Sequence, residues 1–229
     1  METVKTSRWT KGRAILAGGL VLGVGAAATL AAWTDNEWVF GGSGNGDGTG
    51  PNTPGTGVYR MQQNTWAGDS GAEKWTDEKD ANGGALTFSV DPGKLVPGKT
   101  VYSPMQLRTV AGSEALNVSL AEGIQSVLDQ GTKNSPALYA ALTYGVFKGV
   151  GKAACAAGTV NGGSVVVPAG SPLTAVSPTT FPLAAGANAS TPGDPENLCF
   201  ALTLPSTASV DLQGLNTVPV WRFTSSVGQ

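Results

Sequence analysis

ALTFSVDPGKLVPGKTVYSPMQLRTVAGSEALNVSL, residues 85–120, holds three short apolar runs separated by turn chemistry. ALTFSV (85–90) alternates, with Leu86 and Phe88 on one side; a period of two is that of a strand with one buried face. Asp91-Pro92-Gly93 and Pro97-Gly98 then turn the chain, since proline presets φ and glycine accepts positive φ. VYSPMQLRTV (101–110) predicts a second strand. Its Pro104 lacks an N–H and so belongs at an edge or a bulge. Gly112-Ser113-Glu114 leads into ALNVSL (115–120), a third strand. Short strands and turns in this rhythm predict an antiparallel sandwich or barrel.

The pattern continues toward the C-terminus. Ser135 can cap a short helix with Pro136 in its first turn, over ALYAAL. Thr143–Lys148, LCFALTL (198–204) and VPVWRFT (218–224) read as strands, the last with Trp221 and Phe223 on one face. Residues 158–196 are poor in charge and rich in Gly, Ala, Ser, Thr and Pro. They read as a long insertion with one or two short strands around Val165–Val167. Upstream, residues 58–84 predict a surface excursion with one strand at its start, carrying Trp66, Trp75 and the charged run EKWTDEKD. Glu78-x-Asp80-x-Asn82-Gly83 fails as a calcium loop, because Ser89 stands where the twelfth-position Glu is needed.

Composition agrees with a β protein. Only 13% of the 229 residues are charged, against about 25% in average soluble proteins, while Gly (33) and Pro (14) are abundant. The absence of histidine excludes Ser-His-Asp triads and His-ligated zinc. No phosphate-binding loop is present; Gly149-Val150-Gly151-Lys152 lacks the earlier glycine and the following Ser/Thr. No cofactor, no metal and no catalytic residue is expected. The net charge of −2 gives no footprint for nucleic acid. The two cysteines, Cys155 and Cys199, predict one disulfide in an exported chain, clamping the base of the 158–196 stretch.

The N-terminus predicts export. Lys5, Arg8, Lys11 and Arg13 precede AILAGGLVLGVGAAATLAA (14–32), which carries no charge. A basic region, an apolar region and small terminal residues make a signal peptide, with cleavage after Ala31-Ala32 and before Trp33. The same stretch is long enough for a membrane anchor, the competing reading. Trp33–Phe40 then alternates as a strand does: Thr34, Asn36, Trp38 and Phe40 share one face, and Trp33, Asp35, Glu37 and Val39 the other. The linker GGSGNGDGTGPNTPGTG (41–57) follows. Trp33, Trp38 and Phe40 read either as an ordinary first strand packed on their own domain or, on this flexible tether, as a strand donated to an open sheet edge of a neighbouring subunit.

GVGAAATLAAWTDNEW (23–38) resembles the signal region of the TasA/camelysin family, actinobacterial type, exported through a SipW-type signal peptidase. Ala31, Ala32, Trp33, Thr34, Asp35 and Glu37 match its pattern. Leu95-Val96-Pro97-Gly98, Val110-Ala111-Gly112-Ser113, Cys199 to Leu204-Pro205, Gly214 and Trp221–Thr224 match shorter motifs. The resemblance implies an all-β, jelly-roll-like antiparallel β-sandwich over 58–229, preceded by a signal helix (1–32) and by a strand with its linker (33–57). It also implies matrix fibres built by strand donation, with Trp33, Asp35, Glu37, Trp38 and Phe40 in the donor strand. Membrane contact is expected only through the signal segment. Camelysin-like proteins have been classed as metallopeptidases, a label that gains nothing from a chain without histidine. The linker at 41–57 and the 158–196 stretch depart from the TasA pattern. The expectation is a secreted structural protein of fibres, the alternative a monomeric surface-binding module with the 158–196 stretch and the Trp66–Trp75 loop as its contact surface.

Overall fold

LCFALTL lies at the centre of a five-stranded antiparallel sheet. In the computed structural model the described residues are 57–66, 72–79, 84–88, 94–126 and 134–227, all within the unit Thr56–Gln229. The signal segment and the residues Ala31, Ala32, Trp33, Asp35, Glu37, Trp38 and Phe40 lie outside them.

The ten strands of the described residues are β1 (Met61–Asn64), β2 (Lys99–Thr109), β3 (Leu116–Leu120), β4 (Ile124–Gln125), β5 (Thr143–Lys148), β6 (Ser164–Pro172), β7 (Phe181–Leu183), β8 (Glu196–Leu204), β9 (Pro219–Val220) and β10 (Phe223–Val227). They form a sheet β1-β2-β8-β5-β6, a sheet β10-β3-β7 and a pair β4-β9. Every pairing within these sheets is antiparallel. The protein is therefore mainly β, as the strand rhythm predicts. Helix is limited to α1 (Pro136–Ala141), α2 (Lys152–Ala156) and one 3-10 turn among the described residues. Ser135 caps α1 as expected: its Oγ accepts from the Leu138 N–H at 3.2 Å.

Strand alternation builds the core. Leu198, Phe200, Leu202 and Leu204 of β8 turn to one side and Cys199 to the other. The first set joins one buried cluster with Val101, Met105 and Leu107 of β2, Leu116, Val118 and Leu120 of β3, and Phe181 and Leu183 of β7. Each such side chain contributes about 1.5–3 kcal/mol on full burial. The stretch 158–196 supplies both β6 and β7, so it adds an edge strand to each larger sheet and places Val166, Val167 and Leu173 in the core.

Three local expectations need correction. ALTFSV is not a strand over 84–88. Leu86 and Phe88 do pack on the core, but what ties the segment to β2 is a side-chain bond, from Ser103 Oγ to the Thr87 carbonyl at 3.0 Å. Alternation recorded burial there, and burial does not require a pairing partner. Pro104 lies inside β2, an interior strand, opposite Cys199 of β8. β1 reaches only as far as Gln106, so β2 has no partner on that side at the proline. VPVWRFT breaks into β9 and β10 around Trp221-Arg222, because β9 pairs with β4 while β10 pairs with β3.

Candidate strand-accepting groove

An unpaired strand edge exposes N–H and C=O groups, and proteins usually block it. The two larger sheets have four edges. β1 is covered by Thr76, which exchanges two backbone bonds of 2.9 Å with Gln63 and is followed by the Arg60–Asp77 ion pair. β6 carries Pro168 and Pro172 and two register shifts. β7 is three residues long with Pro182 in the middle. β10, FTSSV, has no proline, no charge and no register shift.

The direction of β10's free groups follows from one bond. The Ala121 N–H donates to the Arg222 carbonyl at 2.8 Å, so Arg222, Thr224 and Ser226 turn their backbone groups toward β3. By alternation, those of Phe223, Ser225 and Val227 point away from β3, to the edge that no strand of the described residues covers. Val227 is apolar yet 41% exposed.

Trp221 and Phe223 also form one wall of a cleft of about 1350 Å³, with the exposed Arg222 at its rim. Its floor is the inner face of the five-stranded sheet: Met105 and Leu107 of β2, and Phe200, Leu202 and Leu204 of β8. The segment 84–88 forms part of the opposite wall, with Gly84 against Gln63 and Thr65. The rim is mixed: Val96, Ile124, Val210 and Leu215 line the cleft and stay exposed, Val210 at 75%, alongside the exposed charges of Glu78, Lys79, Lys94, Glu122 and Arg222. Behind the aromatic wall, Trp221 stacks on Tyr144 at 5.5 Å and packs on Phe200 at 5.2 Å, and Phe223 meets Phe200 edge-on at 6.3 Å. Asn134 holds this end together. Its Oδ1 accepts from Gln125 Nε2 and the Val218 N–H, and its Nδ2 donates to the Ser126 carbonyl.

The outer face of the large sheet is closed. Trp66 is 8% exposed and takes the Lys152 ammonium over its ring at 4.6 Å. Arg108 lies 3.9 Å over Trp75 and donates to Gln62 Oε1; burial pulls this guanidinium below its ordinary pKa, and Glu73 opposes that shift. The rings that sequence placed on a contact surface are thus already in use. Cys155 on α2 and Cys199 on β8 form the expected disulfide, fully buried with Val150 and flanked by Tyr102 and Phe147. In the chain-entropy picture a loop of this size contributes about 4 kcal/mol.

Among the described residues no group of three or more His, Cys, Asp or Glu is placed to hold a metal ion. The structure thus brings together Cys155 and Cys199, while the cleavage and donor residues lie outside the described part. Sequence reasoning missed this edge and the cleft beside it. FTSSV carried the signal, a strand without blocking residues, but its neighbours are set by the tertiary fold. No protein-family pattern and no curated protein matches this chain.

Proposed function

We propose that this chain is a secreted structural subunit of surface or matrix fibres, and that its groove accepts residues 33–40 of a neighbouring copy as an added strand. The observation that carries this reading is the edge of β10, unblocked among the described residues, beside a cleft with an apolar floor. The donated backbone would pair with Phe223, Ser225 and Val227, and its side chains would cover the inner face of the large sheet, completing a sandwich. The tether at 41–57 gives reach: a Gly-rich chain of this length spans roughly 20–25 Å on average. Head-to-tail donation is heterologous and does not close, so it yields filaments.

The resemblance to the TasA/camelysin family supports the same reading and supplies its setting. A SipW-type signal peptidase would cut after Ala32 and free Trp33 as the first residue of the donor. Export and assembly would then be coupled, with the disulfide forming in an oxidising compartment. The role is structural rather than catalytic.

Electron microscopy tests it. The chain beginning at Trp33 is expected to form filaments, and the same chain without residues 33–40 to remain particulate. Monodisperse particles from both, across salt and concentration, would leave a monomeric surface-binding module as the better account.

A further inference from the structure

We infer that the aromatic wall of Trp221 and Phe223, standing on Phe200 of the floor, is a specificity pocket for Trp38 of a second copy. The face bearing Thr34, Asn36, Trp38 and Phe40 enters the groove, and the face bearing Asp35 and Glu37 stays in water. This rests on the strand-donation reading and fixes which side of the donor is read.

Two faces are available to residues 33–40, and only one suits the floor of this cleft. Met105, Leu107, Phe200, Leu202 and Leu204 on the floor offer no charge to a carboxylate; the cationic lining residues Lys79, Lys94 and Arg222 are all exposed at the rim, and burying a carboxylate on the floor away from them is heavily disfavoured. The Trp33 face would bring in both Asp35 and Glu37; the Trp38 face brings none. A strand added beside β10 sets its inward residues next to Phe223, whose ring already meets Phe200 at 86°. An incoming indole extends that edge-to-face arrangement, which aromatic pairs favour. Trp221 is locked from behind by Tyr144 and Phe200, so the wall is rigid before the donor arrives.

The outward face is matched as well. Arg222 is exposed and shares a side of its strand with Thr224, whose hydroxyl pairs with Ser119 across β3 at 2.8 Å. With the Trp38 face inward, Asp35 and Glu37 stand on that same solvent side, where an opposite charge on a neighbouring strand is favourable.

The test compares three secreted chains beginning at Trp33: unchanged, Trp38→Ala and Trp33→Ala. Sedimentation velocity reads the assembled fraction, and thermal unfolding checks that the β unit is intact. Trp38→Ala is expected to raise the concentration needed for assembly at least tenfold, Trp33→Ala less than twofold, with unfolding temperatures unchanged. The Trp38→Ala chain keeps its own groove, so adding it to the unchanged chain shortens filaments. Equal effects of the two substitutions, or a larger effect of Trp33→Ala, would overturn the pocket assignment while leaving strand donation standing. An unchanged chain that stays monomeric at every concentration would overturn both.

Discussion

Tyr144 shows how one residue ties the core to the groove. It is 1% exposed, stacks on Trp221 and donates its hydroxyl to the Ala175 carbonyl at 2.6 Å. Burial pushes its phenol up to about 12, with Tyr139 adding to the shift; burial and then Glu122 also raise Tyr139. The folded state therefore favours the neutral phenol. Its contribution is full below the unfolded value near 10 and is lost as pH rises from there toward 12. Chemical denaturation across pH is expected to show stability falling through that window, and Tyr144→Phe to flatten the fall while costing about 1–2 kcal/mol at neutral pH. An identical alkaline slope in the variant would remove Tyr144 as its source. At this scale the sequence was only partly legible. A lone Tyr in a predicted strand says nothing about Ala175 thirty residues on, and Trp66 looked like a contact residue until Lys152 was seen to cover it. The Cys155–Cys199 pairing was legible, because two cysteines allow only one intrachain bond.

Among elements, β10 is the one to perturb. Thr224 and Ser225 are adjacent, yet their backbone N–H groups face opposite edges. Ser225→Pro removes an N–H only from the open side. It is expected to abolish filaments with a loss of about 1 kcal/mol or less, since edge positions tolerate proline. Thr224→Pro removes a bond to β3 and is expected to lower the unfolding temperature by several degrees. Circular dichroism melts beside sedimentation would separate the two; filaments persisting in Ser225→Pro would point to another acceptor edge. The strands themselves were visible at residues 101–110, 115–120, 143–148 and 198–204, within two residues of the bounds of β2, β3, β5 and β8. Residues 84–88 and 221–222 were misread for one physical reason: alternation reports burial on one side, while a strand also needs a partner in its plane. That partner is contributed by residues far away in the chain, as β3 and β10 demonstrate.

For the whole molecule, mainly β architecture followed from composition and turn spacing, but the order β1-β2-β8-β5-β6 did not. It joins strands 90 and more residues apart, such as Gln106 opposite Asn197. A short amide ladder helps define that register: Asn64 Nδ2 donates to Gln106 Oε1 at 2.8 Å, and Gln106 Nε2 to Asn197 Oδ1 at 3.0 Å. Asn64 is fully buried, and its Oδ1 accepts from the backbone N–H groups of Trp66 and Lys74. A one-residue slip would strand these amides without partners, so the ladder selects one pairing among the many that apolar β strands permit.

In the proposed filament each subunit would be pulled, and the Cys155–Cys199 bond would then acquire a mechanical meaning. Tension applied between a donor segment at one end and β10 at the other runs along the chain until it reaches Cys155, crosses the sulfurs, and rejoins the chain at Cys199. The residues between them, across a sequence separation of 44, include β6 and β7 and sit in a bypassed arc that feels no stretch. A fully extended chain gains about 3.3–3.6 Å per residue, so single-molecule force spectroscopy should record an unfolding step about 150 Å shorter for the oxidised subunit than for the reduced one. Equal step lengths in the two states would mean that the force does not pass through both sulfurs.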